Sequence, residues 1–304
     1  MNSYGLVTFD DGGGWHKPGL LVDQHVLDLA QYFSLPPRAD MIDLFAQWSE
    51  IEKELPIAAK AAAASGVPLE EVTIHAPVER PLAIYCAGAN YRDHVDNMAR
   101  ARGIPTEPDP HDRGLRPWHF LKSGRTVCGP NAAINLECAN LDWEAEIAAV
   151  IGLQARNVSE RNALDHVAGY MIANDLSARD RMVRENGEPG STFYYDWAAH
   201  KSFEQSCPLG PIILPASNVG NPQNIDIQLW VNSELKQNSN SRHMLFSIAE
   251  QIAHISTYVT LHPGDIVLTG TPAGVGAETG TFLKKGDTVR TRITGMGEQN
   301  LSIV

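Results

Sequence analysis

The chain has 304 residues, 43% of them hydrophobic, with 24 lysines and arginines against 36 aspartates and glutamates, a formal charge of −12. That length supports a sizeable core plus a smaller second domain, and the negative charge argues against nucleic acid or an anionic membrane surface as a partner. Cys86, Cys128, Cys138 and Cys207 form no CxxC pair, the start MNSYGLVTFDD lacks leader character, and eighteen consecutive apolar residues occur nowhere, so a cytoplasmic protein without a disulfide framework is expected.

Residues 4–9 and 20–28 read as short strands around the turn-forming DDGGGWHKPG. An amphipathic stretch follows from Met41 to Ser65, and its end IAAKAAAAS is helical in propensity. After VPLEEVTIHAPVERP the texture changes, which places a boundary near residue 75, between a small N-terminal α/β domain over 1–75 and a larger domain over 76–304. PLAIYCAGANY then reads as a buried strand running into a loop. Residues 99–118, with Pro105, Pro108, Pro110 and Pro117, read as a long loop that is either disordered or a lid over a site. LDWEAEIAAVIG is followed by a helical turn around SERNALDHV and by GYMIA, a second apolar run ending at Asn174 and Asp175. IDIQLWVN alternates with period two, LFSIAEQIAHISTYV is apolar at helical spacing, and HPGDIVLTGTPAGVG and KKGDTVRTRITG are short strands between glycine turns. Strands outnumber helices after residue 80, so the fold class is α+β and β-rich, a roll or barrel with a few helices.

Within LDWEAEIAAVIG, Asp142, Glu144 and Glu146 occupy every second position. As a strand the stretch would point all three acids one way and Trp143, Ala145, Ile147 and Ala149 the other, which makes a site. As a helix it would make Asp142 an N-cap with acids in the first turn, and its alanines keep that alternative open, although Ile147, Val150 and Ile151 are β-branched and Gly152 ends the run early. In the strand, two acids about 5 Å apart repel by roughly 3 kcal/mol at an effective dielectric near 20. Such a cluster takes up protons or holds a cation.

The glycine-rich GTPAGVGAETG, residues 270–280, follows a strand as a nucleotide loop does. Its spacing is GxGxxxG, however, and TFLKKGDTV after it is not a helix start. No GxSxG elbow, Walker loop or HExxH occurs. Oxygen ligands remain: Glu144 and Glu146, joined by Asp175, would suit Mg²⁺ or Mn²⁺, with Asp142 as a fourth ligand or a support. Asp175 alone reads equally well as a turn residue or N-cap.

The ordered motifs DWEAEIAAVIG, GYMIANDLSARD, HKSFEQSCPLGP and PGDIVLTGTPAGVG closely resemble the fumarylacetoacetate hydrolase family over roughly residues 80–304. The resemblance implies a mixed β-sandwich roll assembled as a homodimer. It also implies a divalent metal, Mg²⁺ or Mn²⁺ with Ca²⁺ also fitting, held by Glu144, Glu146 and Asp175. Carried over in the same way, His94 of YCAGANYRDHVDNM is the catalytic group that activates water, and Lys201 of HKSF meets developing negative charge. Arg179 of SARD, with Gly270 and Thr271 of TGTP, contacts the substrate. Without the resemblance, the histidine and the two cations read as polar surface and the glycine as a tight turn.

The implied substrate is a small anionic 2-oxo acid. The leading expectation is hydrolysis of a carbon–carbon bond in a 2,4-diketo acid, an acylpyruvate such as fumarylpyruvate or maleylpyruvate of the kind found in aromatic catabolism, to pyruvate and a carboxylic acid. Many family members have a glutamate three residues after the histidine, where this chain has Asn97. A dyad then needs Asp96, Glu107 or another lid acid. Met182, His200 and Glu204 also depart from frequent family residues. Without a dyad, decarboxylation of an oxaloacetate-type acid or isomerisation of a 2-hydroxydienoate at the same metal is the alternative. A non-catalytic binding protein is disfavoured by the complete set of acids and cations.

Overall fold

The computed structural model describes residues 4–304; residues 1–3, the start of the stretch read for a leader, lie outside it. The first sheet is built from the beginning of the chain. Its five strands lie in the order Val67–Pro68, His25–Asp28, Lys17–Val22, Tyr4–Asp10 and Thr73–His75, and the last of them is where the chain leaves it. The amphipathic stretch forms two helices, Met41–Phe45 and Trp48–Ser65, rather than one. The capping box of Asp40 and Asp43 starts the first of them.

The central sheet has six strands in the order Leu214–Pro215, Val167–Asn174, Ala145–Ile151, Ile266–Leu268, Ile84–Ala87 and His119–Lys122. A further five-stranded sheet contains Asp226–Val231, Glu234–Asn240, Thr288–Ile293, Gly297–Ile303 and Ala133–Ile134, all antiparallel pairs except the last. In Thr288–Ile293 every second residue is buried, as the sequence alternation requires when one face is solvated. The molecule is thus the sheet-rich α+β roll expected.

Ala145–Ile151 is buried along its whole length. Ala145, Ile147, Ala149 and Ile151 enter the main core with Trp143. Ala148 and Val150 enter a second core shared with Leu6, Leu20, Trp48 and Leu55 of the N-terminal elements. One continuous apolar layer therefore fastens the first sheet to the back of the central one, and at roughly 25 cal/mol per Å² of buried apolar area it is a major cohesive contact.

Two expectations are corrected. LDWEAEIAAVIG is extended but not one strand: Leu141–Asp142 pairs with Ser177–Ala178, and the chain breaks at Trp143 and Glu144 before Ala145–Ile151 begins. The break lets Asp142 leave the row of acids. The stretch 99–118 is not all loop, because helix Arg92–Arg102 runs into it and stops at Gly103 in the left-handed conformation.

A buried acid cluster and candidate active site

Antiparallel register assembles the acids. Ala145 lies opposite Asn174 and Glu146 opposite Ala173, so the start of one central strand meets the end of its neighbour. The Asn174 side chain accepts from the Glu144 N–H at 2.9 Å, and the Asp175 N–H donates to the Glu144 carbonyl at 2.9 Å. Glu144, Glu146 and Asp175 are thereby brought together in the interior, with one ligand oxygen from each within 4.8 Å of the others.

Cations surround two of these acids and miss the third. Lys201 Nζ donates to Glu144 Oε2 at 2.8 Å and to Asp175 Oδ2 at 2.6 Å. Lys122 Nζ donates to Asp175 Oδ1 at 2.5 Å. Arg179 donates through Nη2 to Glu144 Oε1 at 2.5 Å and through Nε to Asp142 Oδ2 at 2.8 Å. Glu146 Oε2 accepts only the Gly270 N–H, at 2.7 Å, and no lysine or arginine pairs with Glu146 among the described residues.

The electrostatics follow from this asymmetry. Burial pushes the Glu144 carboxyl up, but Lys201 and Arg179 outweigh it and hold the group well below the usual carboxylate range. Glu146 has less relief: burial, then the charges of Asp175 and Glu144, push it well above that range, and Lys201 and the Gly270 N–H only partly offset them. Burial opposes the charge on Lys201, yet Asp175 and Glu144 raise it to about 12. Four buried carboxyls, with Asp142, thus face the cations Lys122, Arg179 and Lys201, which leaves one negative charge without a partner. Unpaired buried charge is costly, and three converging carboxylate oxygens are donors for a hard divalent cation, so these residues fit such an ion. Asp142 stands apart from that donor set. Its oxygens accept from Gly276 N at 2.6 Å, Ala277 N at 3.0 Å and Arg179.

A cavity of about 370 Å³ opens beside the cluster and is lined in part by His94, Glu144, Arg179, Lys201 and Thr271. His94 comes from the first turn of helix Arg92–Arg102, and its Nδ1 lies 3.0 Å from Glu278 Oε1. Glu278 Oε2 accepts from Asn97 Nδ2 at 2.8 Å and from Gly274 N at 3.0 Å. Burial opposes the charge on Glu278, but the His94 and Asn97 hydrogen bonds hold its carboxyl below the ordinary value. In the neutral imidazole a carboxylate on Nδ1 selects that nitrogen as the donor, so that Nε2 is the nitrogen available as a general base.

Neither Asp96 nor Glu107 is the histidine's acid. Asp96 sits 3.7 Å from Arg92, and Glu107 is exposed and 3.6 Å from Arg113. Asn97, which stands where a glutamate was expected, instead helps to hold Glu278 in place. The groups of the glycine loop also have partners within the protein. The Gly270 N–H is engaged by Glu146. The Thr271 hydroxyl donates to the Ala145 carbonyl at 2.9 Å and accepts from Gln237 Nε2 at 2.9 Å, although the residue still lines the cavity. The loop approaches the barrel closely because Gly274 lies at φ +103, where a Cβ would meet the Lys236 carbonyl at 1.9 Å.

Sequence reasoning missed Lys122 and Glu278. Lys122 carried no signal beyond ending the short alternating run HFLK. Glu278 had one: it is the only acid in GTPAGVGAETG, in a chain whose histidine motif lacked its own.

Roll and site together define an α+β protein with a buried divalent-cation centre and a histidine–carboxylate pair beside one cavity. The model of the fumarylacetoacetate (FAA) hydrolase C-terminal region matches residues 83–304, and the chain belongs to the fumarylacetoacetate hydrolase family, whose members include hydrolases, isomerases and tautomerases. A mitochondrial oxaloacetate tautomerase of Bos taurus is 40% identical over 235 residues, 76% of this chain and 69% of the relative. The crystal structure of a maleylpyruvate hydrolase from Sphingobium sp. SYK-6, in complex with manganese(II) and pyruvate, superposes with a TM-score of 0.76 at 27% identity, over 99% of this chain and 98% of that one. A fumarylacetoacetate hydrolase from Exiguobacterium antarcticum gives 0.78 at 25% identity, over 100% and 99%. No helix among the described residues is long and apolar enough to cross a membrane.

Proposed function

We propose that the chain is a divalent-metal-dependent enzyme that hydrolyses a carbon–carbon bond in a 2,4-diketo acid, giving pyruvate and a carboxylic acid. The observation that carries this reading is the His94–Glu278 pair at 3.0 Å, whose histidine lines the same cavity as Glu144 and Lys201. Glu144, Glu146 and Asp175 would hold the metal. When bound there, a hard cation supplies a chelating partner for a carboxylate and its neighbouring oxo group and offsets negative charge that develops on them.

The protein's own groups account for the remaining steps. His94 takes a proton from water through Nε2 while Glu278 holds the imidazole and stabilises its charged form. The water oxygen attacks the distal carbonyl carbon, and the bond between that carbon and the methylene breaks. The electron pair passes to the pyruvyl half as an enolate, and the methylene carbon then takes up the proton. Lys201 and Arg179 offset part of the negative charge of the acid cluster beside the cavity that an anionic substrate enters. Stabilising the enolate more than the neutral diketone lowers the barrier.

A second reading is tautomerisation of a 2-oxo acid through the same enolate, without attack by water; the 40% identity to an oxaloacetate tautomerase favours it. Products separate the two. Manganese-loaded protein given an acylpyruvate should release equimolar pyruvate, read with lactate dehydrogenase, together with the acid. Enol–keto conversion of oxaloacetate with no pyruvate from any acylpyruvate would establish the second reading and remove the first.

A further inference from the structure

The cavity has two unlike ends. Its inner end is the charged cluster just described. Towards solvent the wall is aromatic: Trp197 packs 5.7 Å edge-on to Trp118, 5.4 Å from Phe120 in a stacked pair and 6.4 Å from Tyr195, measured between ring centroids. All four line the cavity, with Met98 and Ile104 in the remaining wall. The two ends are continuous, because Lys201 Nζ lies 5.3 Å from the centre of the Phe120 ring. The wall is also closely fitted: a Cβ on Gly88 would meet Trp118 at 2.0 Å, so the indole lies directly on that stretch of backbone.

Trp118, Tyr195 and Trp197 are nonetheless 48%, 52% and 38% exposed. Large aromatic surfaces left wet and contiguous at the mouth of a catalytic cavity are characteristic of a ligand site. The inner cations are already engaged, since Arg179 and Lys201 are bound to buried acids, and the outer lining holds one exposed arginine, Arg102, and one acid, Glu107.

We propose that this outer wall is a subsite for a bulky apolar acyl group, so that the substrate is an aroyl- or long-chain acyl-substituted 2-oxo acid rather than a four-carbon diacid. The inference rests on the reading above for the position of the 2-oxo acid head at the acid cluster. The ring of an aroyl group stacks against Trp197 and Trp118 and withdraws their surface from water, a gain that a carboxymethyl group cannot make.

Binding and turnover test it separately. With manganese-loaded wild-type protein, tryptophan fluorescence quenching should give at least tenfold tighter binding for 4-phenyl-2-oxobutanoate than for 2-oxobutanoate or 2-oxoglutarate. Benzoylpyruvate should exceed acetylpyruvate and fumarylpyruvate in kcat/KM by at least tenfold. Trp197→Ala and Trp118→Ala should each reduce the phenyl-to-methyl preference in binding severalfold. Equal binding of the three 2-oxo acids, or a preference for 2-oxoglutarate, overturns the subsite. Tail-dependent binding without pyruvate release keeps the subsite and removes the hydrolase reading, whereas pyruvate release without tail-dependent binding does the reverse.

Discussion

Glu144 and Glu146 sit two residues apart, both buried, and their circumstances are opposite. Glu144 is held by Lys201 and Arg179, whereas Glu146 receives one backbone N–H and no cation. The first is therefore held by the protein's own cations. The second is a charge the fold tolerates only with a proton or a cation beside it. A metal site can thus contain one acid that braces the protein and another that is available mainly to the ion.

Substitution should separate those roles. Glu146→Gln is expected to abolish turnover, a loss of at least about a thousandfold, and manganese binding by calorimetry, while the thermal stability of metal-free protein holds or rises. Glu144→Gln should also abolish binding but take one carboxylate partner from both Lys201 and Arg179, at a cost of about 3–5 kcal/mol in urea unfolding. Equal stability losses in the two variants would break the comparison.

The base should behave differently from the ligands. Glu278→Gln is expected to lower kcat by about a hundredfold or more, as loss of general-base support does, with manganese affinity unchanged. A parallel fall in affinity would place Glu278 with the metal ligands instead.

Another buried ionisable group without a charge partner sharpens the point from the opposite sign. Burial holds His119 down to about 4, with Gln251 pulling the other way. The unfolded chain takes up a proton near 6.5, so stability is full above that pH and declines as pH falls towards 4. The loss is roughly 3 kcal/mol at most, by the conversion of about 1.4 kcal/mol per unit. Denaturant melts at pH 7 and pH 4 should show it in the wild type and show less of it in His119→Phe. Smallest is Asn97→Ala, expected to reduce kcat severalfold by loosening Glu278, with an Asn97→Gln variant recovering part of the loss in the same assay.

Much of the fold was legible because burial periodicity is local. Alternation in IDIQLWVN and TVRTRI, the apolar run GYMIA and the helical spacing of IAEQIAHISTY all appear as the elements they suggested. The break at Trp143 and Glu144 was not legible, since it arises where Leu141–Asp142 pairs with one partner and Ala145–Ile151 with others. Glu144 and Glu146 could be named beforehand because a charge repeated at period two in an apolar run is conspicuous, whereas Asp175 was set apart from a turn residue by the family resemblance and Asp142, in the same repeat, does not join them.

The sequence by itself therefore determined the sheet-rich class, the buried strands and the pairing of Glu144 with Glu146, because each is written in the alternation of neighbouring residues. Only the tertiary structure decided that Lys122 reaches Asp175 and that Glu278 replaces the missing acid of the His94 motif. It alone also showed that Asp142 braces a loop and that four aromatic side chains form one wall. Those contacts join residues tens to nearly two hundred positions apart, and no local period records a distance set by how separate elements pack.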